Sequence, residues 1–392
     1  MKKIAIIIQK LSGGGAERNA SNLSIFLSKY HEVHLIVFDC TNITYPHAGT
    51  LHDLKIPPSK GVFGKIKNVF ARVSAVKKIK KQYGIETTIS LMDGANLVNC
   101  FTRTGDKIIT SVRIQMSKSR KSKGIMGFAE KLVQRTIAKR SDLVVGVSLG
   151  VSEDMVKTFG LPQEKVTTIY NSCDGEMLRE KALIHAEEAS GMAKNSVITM
   201  GRMTDQKGQW HLIRAFRKIT AEIPDAKLYL LGDGPFREKL EELTKELGLC
   251  DSVVFLGYKE APHAYIANST MLALPSLFEG LSNVLIESLA CGVPCVASDC
   301  YSGSREILSG KNDIKEVIDE YELCEYGIIT SVCGKGEFDA VTPLTKTEHQ
   351  LADAIIRMFR DDTLREEYKR KAKDRAAEFS PENITARWNE VI

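Results

Sequence analysis

Ser276-Leu277-Phe278-Glu279-Gly280-Leu281-Ser282-Asn283-Val284-Leu285-Ile286-Glu287 follows the apolar run Met271–Leu274 and leads into a second one, Asn283–Ala290. The first run is short and reads as a buried strand. The second is longer, with Ser282 or Asn283 available as its cap, and reads as a helix. A strand, a tight loop and a helix start form the ligand-bearing corner of a doubly wound α/β sheet, where ligands sit beyond the carboxyl ends of the strands. Glu279 lies in the loop and Glu287 about one turn into the helix, so two carboxylates flank one helix N-terminus. A carboxylate accepts two hydrogen bonds from the vicinal hydroxyls of a sugar or ribose. The free amides of the helix start suit a phosphate or sugar oxygens. Two solvated acidic residues would be the plainer reading, but the surrounding residues are too apolar for a freely exposed face.

The same alternation extends outward from this corner. In the second half, strands are expected at Ser196–Gly201, Lys227–Leu231, Val253–Leu256, Met271–Leu274 and Pro294–Ser298. Helices are expected at Gln209–Thr220, Phe236–Leu247, Asn283–Ala290, His349–Asp361, Leu364–Phe379 and, after Pro381, Asn383–Ile392. In the first half the strands are Lys3–Gln9, Val33–Phe38, Thr87–Leu91, Lys107–Val112, Asp142–Val147 and Lys165–Tyr170. The helices there are Ala16–Lys29, Phe63–Gln82, Ile125–Arg140 and Val151–Phe159. Asn171–Ala193 shows no strand and reads as a linker. The pattern predicts two parallel-sheet α/β domains with a cleft between them. The expected bounds are 1–172, 173–378, and a terminal helix, 379–392, packing back toward the first domain.

At 392 residues, with 43% hydrophobic and 26% charged residues, the chain has the size and composition of a two-domain globular protein. No window approaches the about 18 consecutive apolar residues of a membrane span, and Ile4–Ile8 is too short for a signal-peptide core. The nine cysteines are odd in number and scattered, which predicts free thiols and a reducing cytoplasm. Cys291, Cys295 and Cys300 lack metal-site spacing and read as buried small residues.

Charge divides unevenly. Residues 1–172 carry 27 Lys/Arg against 12 Asp/Glu, a balance of +15, and the remainder carries −10. Residues 60–85 hold eight cations and no acid: Lys60, Lys65, Lys67, Arg72, Lys77, Lys78, Lys80 and Lys81. Apolar Val62, Phe63, Ile66, Val69, Phe70 and Val73 are interleaved. This predicts a basic amphipathic helix for an anionic membrane surface rather than for nucleic acid, with a solvated face as the plain alternative. Lys118, Arg120, Lys121 and Lys123 add to the patch.

Two further loops carry chemistry. Gly201-Arg202 and Lys207-Gly208 stand between a strand and a helix, where a guanidinium and an ammonium suit a diphosphate. Ser12-Gly13-Gly14-Gly15 precedes the first helix and allows either a tight turn or close approach to a phosphate. Arg18 stands where a third glycine would complete a dinucleotide fingerprint, so nicotinamide binding is not expected.

Together these motifs resemble the retaining glycosyltransferases of family 4. The pattern Ser-x-x-Glu-Gly-x-x-Asn-x-x-x-Glu is joined by Gly201-Arg202-x4-Lys207-Gly208, Gly232-Asp233-Gly234-Pro235 and Cys291-Gly292-x-Pro294. Ser298-Asp299-Cys300-x-x-Gly303-x-Arg305-Glu306-Ile307 and the opening Gly13-Gly14-Gly15-Ala16-Glu17-Arg18 complete it. The closest likeness is to bacterial enzymes that build capsule, exopolysaccharide or lipid-linked oligosaccharides. The resemblance implies a GT-B fold, two Rossmann-like domains facing a central cleft, with a nucleotide sugar (UDP-linked) held by the second. It implies that Arg202 and Lys207 neutralise the donor diphosphate, Glu287 holds the ribose and Glu279 contacts the transferred sugar. Amides around Gly280, Leu281, Ser282, Asn283 and Val284 would assist, and Gly14 and Gly15 would close over the phosphates. The acceptor would be a glycan or polyprenyl-diphosphate-linked.

Two positions depart from the family pattern. Many relatives carry a histidine after the strand that here ends Ser111-Val112, where this chain has Arg113. Arg113 is therefore the expected substrate contact in the first domain. The segment Lys311–Leu344 is longer than usual and is expected to be a surface excursion. The chain has no Asp-x-Asp, so neither a metal nor a cofactor is expected, and the cations and helix amides would stabilise the leaving group instead. A nucleotide-sugar epimerase and a non-catalytic sugar-nucleotide binder are the competing readings.

Overall fold

The protein is described from a computed structural model. It covers all residues except 60, 120–124, 301, 311–317, 319, 335 and 337; for 62, 118, 119 and 125–131 it gives only the backbone. Two compact units emerge: Met1–Ser172 with Pro381–Ile392, and Cys173–Ser380.

The first unit contains strands β1 (Lys3–Ile8), β2 (Glu32–Val37), β3 (Thr50–Asp53), β4 (Thr87–Leu91), β5 (Lys107–Val112), β6 (Leu143–Gly146) and β7 (Val166–Thr168). Its helices are α1 (Gly15–Leu27), α2 (Val62–Tyr83), α3 (Asp93–Cys100), α4 (Met116–Ser119), α5 (Ile125–Arg140) and α6 (Leu149–Lys157). The strands pair in parallel in the order β3-β2-β1-β4-β5-β6-β7. β1 is buried almost throughout because helices cover both faces of such a sheet, and its Ile-rich run suits that position.

The second unit repeats the plan. Its strands are β8 (Ser196–Met200), β9 (Lys227–Leu231), β10 (Val253–Gly257), β11 (Met271–Leu274), β12 (Cys295–Ser298), β13 (Glu322–Leu323) and β14 (Ile328–Thr330). Its helices are α7 (Gly175–Ile184), α8 (Gln209–Glu222), α9 (Arg237–Glu246), α10 (Pro262–Ala267), α11 (Asn283–Ala290), α12 (Ser304–Ser309), α13 (Lys346–Arg360) and α14 (Asp362–Ala377). The order is β10-β9-β8-β11-β12-β14-β13, parallel except for the β13–β14 pair. The last helix, α15 (Pro381–Val391), belongs to the first unit, where Ile384, Trp388 and Ile392 join the core built on β1.

Two expectations are corrected. Asn171–Ala193 is not a bare linker: Asp174 accepts from the Met177 amide at 3.0 Å and caps α7, which buries Leu178 and Ala182. The segment 311–344 is not wholly a surface excursion. β14 pairs with β12 inside the sheet, and Ile328, Ile329 and Cys333 are fully buried; residues 311–317 and 319 lie outside the described residues.

Both sheets change direction at one place. The chain runs outward from β1 to one side and from β4 to the other, and likewise from β8 and β11. Loops beyond such switch points are where open α/β sheets hold ligands.

Candidate active site

In the second unit the two loops at the β8/β11 switch point meet. The loop after β8 forms a 3-10 turn, Asp205–Lys207, closed by Gly208 in the left-handed conformation at φ 60°. A Cβ at Gly208 would lie 2.4 Å from the Pro275 carbonyl oxygen. Only glycine lets this loop press against the one after β11. Leu277 N donates to the Gln206 carbonyl at 2.8 Å across the same seam.

This seam brings Lys207 onto Glu279. Nζ lies 2.5 Å from Oε1, with Ser276 Oγ donating to the same oxygen at 2.8 Å and Gln206 Nε2 to Oε2 at 3.3 Å. Glu279 is 6% exposed, yet its charge is matched by one cation and two neutral donors, as a buried carboxylate requires. Ser302 Oγ donates to the Glu279 carbonyl oxygen at 2.7 Å and holds the backbone. Arg202, one residue past Gly201 at the end of β8, is exposed, with no side-chain hydrogen bond or ion pair among the described residues.

Ser282 is the N-cap residue of α11, as expected, but its side chain makes no capping bond. Its hydroxyl is instead buried with no partner among the described residues, so capping of α11 by Ser282 is corrected. Asn283 and Val284 begin the helix, and Gly280 and Leu281 are buried in the loop before it.

Glu287 is turned into the protein. It is 5% exposed and shares a hydrogen bond between Oε2 and His263 Nε2 at 3.0 Å. His263 sits in α10, a six-residue helix opened by Pro262. The sequence reading missed this partner, together with Gln206, Ser276 and Ser302. The only signal for His263 was Pro262 at a helix start.

In the first unit, Gly14 is the N-cap of α1 and Gly15 its first residue. The Glu17 carboxylate lies over Gly14, where an added Cβ would be 2.2 Å from Oε2. That helix start therefore already has an anion beside it. Arg113 follows β5 and donates from Nη2 to Asn171 Oδ1 and from Nη1 to Ser111 Oγ at 3.4 Å. Burial pushes its guanidinium down to about 9, which leaves it cationic at neutral pH.

The basic helix is α2. Phe63 is 90% exposed and Phe70 71%, with Ile66 half exposed. At 100° per residue these share one face with Lys67, Lys77, Lys78 and Lys81, all exposed. The eight-cation reading is corrected at Lys80, which is 1% exposed and paired with Asp106 at 2.8 Å. Arg72 is half-buried over the Phe38 ring. Lys60, Arg120, Lys121, Lys123 and the Lys118 side chain lie outside the described residues. No helix among the described residues is long and apolar enough to cross a membrane.

Residues 13–176 match the family described as Glycosyltransferase Family 4 and residues 180–322 the family of glycosyl transferases group 1. Over 389 residues, 98% of this chain and 97% of the relative, the sequence is 30% identical to a Campylobacter jejuni protein. That protein is N-acetylgalactosamine-N,N'-diacetylbacillosaminyl-diphospho-undecaprenol 4-alpha-N-acetylgalactosaminyltransferase. The chain is a family 4 glycosyltransferase. A second C. jejuni transferase, an alpha-1,4-N-acetyl-D-galactosaminyltransferase named for a diNAcBac-PP-undecaprenol-linked substrate, is 25% identical over 100% of this chain and 98% of its own. Among solved structures, Anabaena HepE in complex with UDP and glucose superposes with a TM-score of 0.74 at 18% identity, covering 100% of this chain and 99% of its own. Sucrose-phosphate synthase from Thermosynechococcus elongatus gives 0.78 at 19% identity, covering 100% and 98%. The glycosyltransferase thus has the GT-B fold, with two Rossmann-like α/β domains.

Proposed function

We propose that this glycosyltransferase moves a sugar from a UDP-sugar to a glycan or polyprenyl-diphosphate-linked acceptor, with retention, in cell-surface polysaccharide biosynthesis. The observation that carries the reading is the cluster at the β8/β11 switch point, where the loop after β8 carries Lys207 and exposed Arg202, with Lys207 paired to buried Glu279. The undecaprenol-diphosphate-linked substrates named for the two Campylobacter relatives support the acceptor class. The UDP bound by HepE supports the nucleotide.

Breaking a sugar–diphosphate bond leaves an oxocarbenium-like sugar and a nucleotide with new negative charge. Arg202 and Lys207 receive that charge, and the amides at the start of α11, from Gly280 through Val284, assist. Glu279, held by Ser276 and Gln206, orients the transferred sugar, and Glu287 the ribose. In the first domain Gly14 and Gly15 approach the phosphates and Arg113 contacts substrate. No metal or cofactor takes part, because the two cations do the electrostatic work on the leaving group. No second carboxylate is assigned for a double displacement, so the acceptor attacks the face the nucleotide leaves. The enzyme works in the cytoplasm on the inner face of the plasma membrane, where Phe63, Ile66 and Phe70 insert shallowly and the lysines of α2 meet anionic lipid.

The test is turnover of a panel of labelled nucleotide sugars with an undecaprenyl-diphosphate-linked N-acetylhexosamine acceptor, the product's anomer read by NMR. Transfer from a UDP-sugar with an α-anomeric product is expected. Consumption of a nucleotide sugar without acceptor would favour an epimerase, and no turnover with any donor would remove the transferase reading.

A further inference from the structure

Among the described residues the fully buried cations come with carboxylates. Lys80 has Asp106 at 2.8 Å, Arg214 has Glu348 at 2.8 Å, and Arg305 has Asp299 at 2.7 Å and Glu322 at 3.0 Å. Arg113, half-buried at the end of a sheet strand, has no such partner among the described residues. Its guanidinium is held by two neutral oxygens, Asn171 Oδ1 and Ser111 Oγ, and among the described residues it has no ion pair. Desolvation alone acts on its charge, with no acid opposing it. Removing a cation from water without a counter-charge is costly, and such uncompensated groups concentrate at functional sites.

Position adds to this. Arg113 is the first residue beyond β5 and Asn171 lies just beyond β7, so both stand at the carboxyl edge of the sheet. Asn171 and Ser111 fix two of the guanidinium's donor positions, and a guanidinium has five N–H donors. The remaining donors and the partial opening to solvent are what a planar fork needs to grip an oxyanion. The start of α1, the other anion-attracting feature of this edge, is already faced by Glu17.

We propose that Arg113, set by Asn171 and Ser111, is an anion site of the first domain that takes a phosphate or diphosphate group of a substrate. It rests on the transferase reading only in calling that ligand a substrate. An acceptor's polyprenyl diphosphate and a donor's nucleoside diphosphate share this chemistry.

The experiment uses the full chain carrying Arg202→Ala and Lys207→Ala, which removes the second domain's cations. Calorimetric titration with inorganic pyrophosphate should show residual, salt-sensitive binding that weakens at least ten-fold on adding Arg113→Gln. Farnesyl diphosphate and UDP are titrated in parallel. Arg113-dependent binding of the first assigns the site to the acceptor, and of the second to the donor. Thermal unfolding guards against a folding defect. Pyrophosphate should raise Tm where Arg113 is present and not where it is Gln, and without the anion the Gln variant should be no less stable. Equal pyrophosphate affinity with and without Arg113 would overturn the proposal. So would a large loss of stability in Arg113→Gln with no pyrophosphate response in the protein that keeps Arg113, because that pattern marks a structural arginine. Absence of sugar transfer with every donor would sink the transferase reading and leave Arg113-dependent pyrophosphate binding standing.

Discussion

Lys207 Nζ and Glu279 Oε1 are 2.5 Å apart, and this contact joins the loop after β8 to the loop after β11 at the point where the sheet changes direction. Lys207 thus holds Glu279 in place and, on the proposed mechanism, would also present charge to a leaving group. Arg202, exposed, would have only the second role. Arg202→Ala should lower kcat by roughly 100- to 1000-fold with Tm unchanged, as for most exposed substitutions. Lys207→Ala should lose as much activity and also lower Tm, because it leaves a buried carboxylate without its cation. Steady-state kinetics beside calorimetry separates the two; near-wild-type rates in both variants would end the diphosphate assignment.

His263 is expected to act through Glu287 rather than on the substrate. If Glu287 holds the donor's ribose, losing this hydrogen bond in His263→Ala should raise the donor KM about ten-fold, a loss of about 1.4 kcal/mol, just below the range of a hydrogen bond to a charged group. The kcat should change little, and His263→Gln, which keeps a donor, should recover part of the affinity. A loss confined to kcat would contradict this positioning role.

Turnover should survive chelation. If Arg202 and Lys207 stabilise the departing nucleotide, activity in excess EDTA should equal that in magnesium or manganese. Complete loss in chelator, restored by either ion, would show that a metal carries the charge.

Membrane affinity and stability should separate along α2. Replacing Lys77, Lys78 and Lys81 with glutamine should weaken co-sedimentation with anionic liposomes, since each cation at such a surface is worth about 1 kcal/mol, while leaving Tm in place. Lys80→Gln should do the reverse. It breaks a buried pair with Asp106 and should cost roughly 3–5 kcal/mol of stability without altering lipid binding. Equal pelleting with neutral and anionic vesicles would reduce the exposed face to an ordinary solvated one.

Acid should loosen the second domain through Glu348. Burial pushes this carboxyl up, but hydrogen bonds from His211, Arg214 and the Thr345 amide outweigh it and hold it down at about 2. Its folded value lies below its unfolded one, so its contribution is fully present above pH ~4.3 and is lost as pH falls toward the folded value. Glu348→Gln should flatten the fall in Tm across this window at the cost of lower Tm at neutral pH. An unchanged acid limb would remove Glu348 from the account.

Much of the fold was legible because doubly covered strands read as short apolar and β-branched runs set between amphipathic helical stretches. The bounds of Thr87–Leu91, Lys107–Val112, Lys227–Leu231 and Met271–Leu274 coincide with β4, β5, β9 and β11. β3 was not legible: it is an edge strand, half exposed, with no apolar run to mark it. α3 was missed because it buries Asn96 and Asn99 among its apolar residues, which breaks the helical stripe. Of the candidate site, the loops after β8 and β11 could be read locally. The pairing of Glu287 with a histidine 24 residues earlier has no local signature.

The sequence by itself determined the alternation of strands and helices, the two-domain plan and the residue types gathered at strand ends, because those follow from short-range periodicity and motif spacing. Only the tertiary structure decided which charges face water. Lys80 and Lys81 are neighbours in one basic run, yet one is sealed against Asp106 and the other is exposed. Arg305 is sealed with two carboxylates, while half-buried Arg113 is held by two neutral oxygens. Burial and charge pairing depend on groups brought together from distant parts of the chain, and no local pattern encodes which groups those will be.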